Sequence, residues 1–357
     1  MSGGVDSSVA AALLVEQGHD VIGVSMQLYD QSDGQARAAT SGTMAFGTCC
    51  TIDDLYDARR VASTLGIPHY ILNFENRFDE QVVSNFVREY MTGRTPIPCA
   101  HCNADLKFST LLERSLGFGA DGLATGHYAR VDRAPDGRFV LRRGAYAAKD
   151  QTYFLFSLTQ EQLARAWFPV GHLDKAVVRE HARRLQLRVA AKPDSQEICF
   201  IPEGNYAAFV ERAAPELTRP GSLVDQSGEV VGSHAGVHRF TIGQRKGLGL
   251  SASEPMYVLA IRPASAEVVV GPRGALGRTT LTASQVNWVS GDPAATWTLV
   301  HAQIRHRHIA APARVRAIDT ARAEVVFDEA QSAITPGQAV VFYQDDVVVG
   351  GGWIDSQ

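Results

Sequence analysis

The sequence predicts an α/β domain with a parallel sheet, followed by two mainly β domains: a small central one and a C-terminal barrel. Three observations predict it. Up to about residue 200, helical periods alternate with short apolar runs. Beyond about 205 the pattern turns to short β-branched runs separated by glycine turns. The chain also opens with MSGGVDSSVAAALLVEQG, a glycine-serine loop directly ahead of an apolar helix.

In order, SSVAAALLVEQG reads as a helix closed by Gly18, DVIGVSMQL as a strand, DDLYDARRVASTLG as a helix closed by Gly66, and HYILNF as a strand. FDEQVVSNFVREYMTG and FSTLLERSLGFG read as helices, and DGLATGHYARV as a strand running into a glycine turn. Residues 29–48 are small and polar without periodicity, which predicts a long loop. From 205, one helix, NYAAFVERAA, precedes GSLVDQSGEVVG, MYVLAIRPASAEVVVG, ARVRAIDTARAEVVFD and QAVVFYQDDVVVGGGWI. All four runs read as antiparallel β structure. Seams are expected in the Pro-bearing stretch 215–221 and the polar turn near 272–280. The domain boundaries are therefore 1–204, 205–276 and 277–357, with no internal repeat.

The 357 residues are 45% apolar, enough for a sizeable core. No run approaches the ~18 apolar residues of a membrane span, and no secretory or transit signal opens the chain, so the expected location is the cytoplasm. Five cysteines, Cys49, Cys50, Cys99, Cys102 and Cys199, are too few and too unevenly spread for a disulfide framework. In a reducing compartment they read as catalytic, metal-binding or buried. A net charge of −4 gives no global footprint for nucleic acid, so such a partner must be met by local patches. Three stretches qualify: Arg142, Arg143 and Lys149; Arg179, Arg183, Arg184, Arg188 and Lys192; and residues 301–322, with five arginines and three histidines against one Asp. Any one of them alone reads as a solvated face.

The opening loop carries chemistry. Gly3 and Gly4 let backbone N–H groups converge, Ser2, Ser7 and Ser8 add hydroxyls, and a helix starting near Asp6 aims its positive end at the same point. That combination is an anion nest. It lacks the Gly-Lys-Ser/Thr ending of a Walker A loop, so no lysine of the loop itself reaches a γ-phosphate. Two glycines alone would equally suit a turn with a Ser/Asp helix cap.

The whole string SGGVDSS resembles the pyrophosphate-binding loop of the ATP pyrophosphatase superfamily, whose members cleave ATP between its α and β phosphates. There the loop follows the first, central strand of a parallel sheet, so a strand upstream of Met1 is expected. GRTPIPCAHCNADLKFSTLL (93–112), LATGHYAR, KDQTYFLF, KPDSQEICFIPEGNY (192–206) and HRFTIGQRKGLGL extend the likeness. Together, up to GGGWI near the end, they resemble the tRNA-specific 2-thiouridylase family, which replaces oxygen by sulfur at C2 of the wobble uridine. The resemblance implies that Ser2, Gly3, Gly4, Val5, Asp6, Ser7 and Ser8 hold ATP phosphates, with Met26 and Gly126 flanking the adenosine. It makes Cys102 the nucleophile and Cys199 the persulfide carrier, the pair closing to a disulfide. Ile97, Pro98 and Cys99 would face the target base, and Lys149, Asp150, Gln151, Arg305 and His306 would touch tRNA. ATP with Mg²⁺ and persulfide sulfur are the implied co-substrates. Partners would be tRNA and a cysteine desulfurase or sulfur-carrier protein, with no membrane and no metal on the cysteines. One departure stands out: many relatives have Asn and Asp where Ile97 and Cys99 stand, so proton handling must come from elsewhere or from Cys99.

Three other readings use the same residues. Cys49, Cys50, Cys99 and Cys102 could hold zinc or an iron–sulfur cluster, as in other tRNA thiolation enzymes. A different ATP pyrophosphatase ligase would use the loop and no cysteine, and a non-enzymatic RNA-binding protein would use neither. His127 suits an acid/base or a hydrogen-bonded neighbour of the nucleotide equally, and carries no catalytic assignment.

Overall fold

A computed structural model describes residues 1–29, 52–194, 198–201, 204–215 and 218–355. Nearly all of the expected long loop 29–48 lies outside them, as do Cys49 and Cys50. The chain forms two compact units, one of Met1–Val82 with Cys99–Asn205, the other of Val83–Pro98 with Tyr206–Gln357. No described helix is long and apolar enough to cross a membrane.

In the first unit, the helix Val5–Glu16 follows the opening loop. It is apolar on nearly every side, and such a helix is stable only when covered. Val5, Val9 and Ala10 enter a core with Val61, Val170 and Val178, which packs it against the helices Ile52–Leu65 and Lys175–Arg184. Strand β1 (Gly23–Gln27) pairs in parallel with β2 (His69–Asn73), the helix Ile52–Leu65 crossing between them. Further along come β3 (Leu123–Ala124), β4 (Ala129–Arg133), β5 (Phe139–Arg143) and β6 (Ala166–Trp167). β3 and β6 form a second parallel pair, and β4 and β5 an antiparallel hairpin. The parallel α/β class expected from the sequence is the class observed.

Two elements differ from expectation. DGLATGHYARV is not one strand: β3 stops at Ala124 and β4 starts at Ala129, with a turn closed by the Ala129 amide donating to the His127 carbonyl at 3.1 Å. The helix expected from Phe108 starts ten residues earlier, at Pro98, and continues through a π-helical stretch, Cys102–Leu111, into Leu112–Gly117. Proline suits the first helical turn because its missing N–H would be unpaired there anyway. The π-helical winding departs from 3.6 residues per turn, so the stretch shows no α-helical apolar period.

In the second unit, the helices Ser84–Met91 and Tyr206–Ala213 pack through Phe86 on Phe209 and a stacked Tyr90–Tyr206 pair 4.8 Å apart. Strands β7 (Gly221–Val224), β8 (Val230–His234), β9 (Met256–Arg262) and β10 (Glu267–Pro272) form a sheet in the order β8-β7-β10-β9. Its two hairpins join through β7 and β10, which run parallel, so the antiparallel expectation fails at that one pairing. The reason is connectivity: residues 235–255 carry the chain across before β9, bringing β10 back in the direction of β7. The remaining strands are β11 (Gly277–Asn287), β12 (Thr298–Gln303), β13 (Ala311–Ala317), β14 (Ala323–Ser332), β15 (Ala339–Gln344) and β16 (Val347–Ile354). They pair antiparallel in that barrel order β11-β14-β13-β12-β15-β16, and β16 returns to β11. Closure leaves these six strands without a free edge around a core that includes Leu281, Val300, Val315, Val325 and Phe342.

Candidate active site

The opening loop is shaped by its neighbours. Gly3 has φ +68°, and a Cβ there would meet the Asp54 carbonyl oxygen at 2.2 Å, so only glycine fits. Lys192 Nζ donates to the Gly3 carbonyl at 3.1 Å and also to Asp54 at 2.6 Å and Asp57 at 2.7 Å. In a planar trans peptide the following N–H points the opposite way, so this grip on the Gly3 oxygen turns the Gly4 amide away from Lys192. The Ser2 amide donates to Ser7 Oγ at 3.2 Å, and the two serine hydroxyls lie 3.1 Å apart. Ser7 and Ser8 hydroxyls donate to the Gly4 carbonyl, at 3.2 and 2.8 Å. The loop is thus folded over the first turn of the Val5–Glu16 helix, whose amides have no side-chain cap at Gly4.

Residues distant in sequence complete the site. Gly126 lies against the loop so closely that a Cβ would sit 2.5 Å from the Ser7 amide nitrogen. Tyr128 donates its hydroxyl to Asp6 Oδ1 at 2.8 Å; burial first, then the Asp6 charge, raises its pKa, so it stays a protonated donor. Lys175 Nζ reaches both Asp6 oxygens at 2.8 Å and pairs with Asp194 at 2.6 Å, while Asp194 also takes Lys149 at 2.5 Å and Arg179 at 3.8 Å. Burial alone would raise the Asp194 pKa, but hydrogen bonds from Lys149 and Lys175 outweigh it and hold the carboxyl below its usual range. Lys192 moves the other way. Burial would lower it, and its bonds to Asp54 and Asp57 outweigh that and raise it. Met26 is half-buried on β1 opposite Leu72. His127 accepts or donates at 2.8 Å with Thr125 Oγ1, and burial, then the Lys107 charge, lowers its pKa well below the ordinary value. It is a neutral imidazole packed against Phe108 and Phe168.

The cysteines lie in the same unit as the loop. Cys102 begins the π-helical stretch, a departure from regular winding that recurs at functional sites. Asn103 beside it is buried, donating to the Phe154 carbonyl at 3.1 Å and accepting from Lys107 at 2.9 Å. Cys199 sits in a turn closed by Ile201 N–H on the Ile198 carbonyl, with Tyr29 donating to the Cys199 carbonyl at 3.4 Å. The short helix Glu75–Phe78 contacts the segments that carry both cysteines: Arg77 donates to Thr110, near the far end of the Cys102–Leu111 stretch, at 3.2 Å, and Phe78 packs edge-on against Phe200 at 5.5 Å. Cys99 is exposed, and Cys102 and Cys199 are half-buried.

Of the expected base-facing trio, Ile97 and Pro98 are buried and Cys99 is exposed. Lys149 is partly exposed, but Asp150 and Gln151 are turned inward. Asp150 pairs with Arg143 at 2.9 Å and accepts from the Gly144 and Thr152 amides; Gln151 Oε1 accepts from the Tyr128 amide at 2.9 Å. In the second unit, Arg305, His306 and Arg307 are exposed on the turn after β12, with Arg305 donating to the Ser332 carbonyl. Of the three basic stretches, the first two are largely paired internally, Arg142 with Asp132, Arg143 with Asp150, and Arg184 with Glu16. In the third, Arg316 pairs with Glu324 and Arg322 with Asp319, both at 2.7 Å, while Arg305, His306 and Arg307 are exposed.

Comparison with known proteins decides what this arrangement is. Residues 1–203 match the family described as tRNA methyl transferase HUP domain, 207–272 its PRC-barrel domain, and 278–354 the aminomethyltransferase beta-barrel domain. The tRNA-specific 2-thiouridylase MnmA of Solibacter usitatus is 53% identical over 99% of this chain and 98% of its own. That of Geotalea uraniireducens is 51% identical over 99% of this chain and 93% of its own, and that of Acidobacterium capsulatum 52% over 99% and 97%. The chain belongs to the tRNA-specific 2-thiouridylase family. Similarity to solved structures is looser: NMN synthetase from Francisella tularensis is 18% identical, covering 60% of this chain and 74% of its own at a TM-score of 0.33.

For a 2-thiouridylase, the residues that sequence reasoning passed over are Tyr128, Lys175 and Asp194, together with the Asp54–Asp57 pair behind Lys192. Asp194 lies in KPDSQEIC, one motif from Cys199, and Lys175 follows a plain Asp174 helix cap. Contacts across more than a hundred residues reveal Tyr128, Lys175 and the Asp54–Asp57 pair, and the ion pairs with Lys149, Lys175 and Arg179 reveal Asp194. Among the described residues no three His, Cys, Asp or Glu side chains converge as metal ligands.

Proposed function

We propose that this 2-thiouridylase family member activates C2 of the wobble uridine of tRNA with ATP and replaces its oxygen by sulfur from a persulfide. The observation that carries the reading is the presence, in one compact unit, of an amide-and-hydroxyl anion nest together with Cys102 and Cys199. The amides of the loop Ser2–Ser8 and the serine hydroxyls take the ATP phosphates, and Met26 and Gly126 border the adenosine. The uracil O2 attacks the α-phosphate, pyrophosphate leaves, and C2 gains an AMP leaving group. Mg²⁺ brought in with ATP would neutralise part of the phosphate charge.

Sulfur follows. The outer sulfur of a Cys199 persulfide attacks C2 and expels AMP. The Cys102 thiolate then attacks Cys199 Sγ, the S–S bond to the base breaks, and its electron pair stays on the new thiocarbonyl sulfur. A Cys102–Cys199 disulfide remains and an external dithiol reduces it. Cys99, exposed at the start of the same helix, takes the base-facing role, while Ile97 and Pro98, just before it in sequence, are buried. Lys149, with Asp150 and Gln151 fixing its backbone, and Arg305 with His306 are the tRNA-facing residues. A cysteine desulfurase or sulfur carrier would load Cys199, in the cytoplasm. Methyl transfer would give no role to Cys102 and Cys199. Mass spectrometry of tRNA nucleosides after incubation with ATP, a persulfide donor and this protein tests the reading: 2-thiouridine must appear and must depend on ATP.

A further inference from the structure

Lys175 is the residue whose surroundings the mechanism above does not use. The loop has no lysine of its own, yet a departing pyrophosphate needs cationic stabilisation. Two ammonium groups reach it. Lys192 engages the Gly3 carbonyl, Asp54 and Asp57, three acceptors for three protons, and so holds the loop's backbone. Lys175 is arranged differently. It sits on the two oxygens of Asp6, in the first turn of the helix that the anion would face, and on Asp194. Each of those carboxylates has a second partner. Asp6 keeps the Tyr128 hydroxyl at 2.8 Å, and Asp194 keeps Lys149 at 2.5 Å and Arg179 at 3.8 Å.

We propose that Lys175 is a phosphate-binding residue of this site, held beside the nest by Asp6 and Asp194 and transferred to the β and γ phosphates of ATP when the nucleotide binds. The inference rests on the ATP reading given above. Its physical basis is the low cost of the exchange: an ammonium on a four-carbon stem can swing from carboxylate to phosphate, and neither carboxylate is left as an unpaired buried charge. Tyr128, kept protonated, and Lys149 with Arg179 take over. A purely structural pair stitching the helix Lys175–Arg184 to the helix Val5–Glu16 would have no need of these second partners.

Steady-state kinetics and ATP-induced thermal shifts of the full chain test it. Lys175→Gln should raise the KM for ATP by about 10- to 100-fold, the range for a lost charge-assisted hydrogen bond, with the KM for tRNA within about twofold. Lys175→Arg, which keeps the charge, should recover part of the loss. Tyr128→Phe keeps Lys175 but removes the second partner of Asp6, and should raise the KM for ATP severalfold; this arm stands if Lys175→Gln fails to fold. An unchanged KM for ATP in Lys175→Gln alongside a lower melting temperature, or in Tyr128→Phe, overturns the proposal. Wild-type protein that ATP does not stabilise overturns the ATP reading itself, whereas equal stabilisation of wild type and Lys175→Gln overturns the role of Lys175 alone.

Discussion

Gly126 and Ser7 touch backbone to backbone: a Cβ at position 126 would lie 2.5 Å from the Ser7 amide nitrogen and 2.6 Å from the Asp6 carbonyl carbon. The turn between β3 and β4 that carries Gly126 therefore forms one wall of the nest, pressed against the Asp6–Ser7 backbone. Gly126→Ala must push the loop off its position. ATP affinity should fall at least about tenfold, near 1.4 kcal/mol, with far-ultraviolet circular dichroism unchanged. Gly117→Ala is the control, since a Cβ there meets nothing within 4 Å. Isothermal titration with ATP reads both.

The ion pairs around the loop set a pH window. The Asp194 carboxyl is held below its usual range, so its contribution to stability is present above the unfolded carboxylate value near pH 4 and is lost as pH falls through the lower folded value. Lys192 is raised, so its contribution is complete below the unfolded lysine value of about 10.4 and is lost as pH rises through the higher folded one. Asp194→Asn should lower the melting temperature at neutral pH, and the gap to wild type should close in acid. A gap that persists below the folded Asp194 pKa would assign the effect to packing.

The surface charges separate by partner. Arg305 and Arg307 are exposed on the turn after β12, and replacing each by Ala should weaken tRNA binding and flatten its salt dependence by about 0.7–0.9 in log–log slope per lost phosphate contact. Arg184→Ala should leave the slope alone, because Arg184 pairs with Glu16 at 2.7 Å. Filter binding over a salt series distinguishes them. An unchanged slope in the Arg305 and Arg307 variants would place the tRNA elsewhere.

How much of this was legible in the sequence follows from distance along the chain. The nest was legible because Ser2 to Ser8 are consecutive, and the alternation of periods gave the parallel pair β1–β2, whereas β6, only two residues long, leaves no period to read. The helix start at Pro98 was not, because the π-helical stretch Cys102–Leu111 has no 3.6-residue apolar repeat. Strand direction was misread only at β7–β10, where a crossover through residues 235–255 decides it and local composition does not. Asp150 looked like a surface residue in KDQ, yet its carboxylate caps local amides and holds Arg143. Lys175 and Asp194 lie 169 and 188 positions from Asp6 and share no pattern with it; only the packing of the helix Lys175–Arg184 on the helix Val5–Glu16 joins them.

The central claim is the division of labour between two thiols, and persulfide mapping by mass spectrometry on single variants tests it most directly. After loading with a sulfur donor, Cys102→Ser should carry one extra sulfur on Cys199, removable by reductant, and should fail to turn over for want of a resolving thiol. Cys199→Ser should carry none, lose thiolation entirely, and still bind ATP, because the nest and the thiol are separate groups. Cys49→Ser and Cys50→Ser should retain activity, which a zinc or cluster site using them would not allow. Wild type taken through one turnover without reductant should yield a Cys102–Cys199 disulfide. Sulfur found on Cys99 or Cys102 in place of Cys199, or 2-thiouridine formed by Cys199→Ser, would contradict the account.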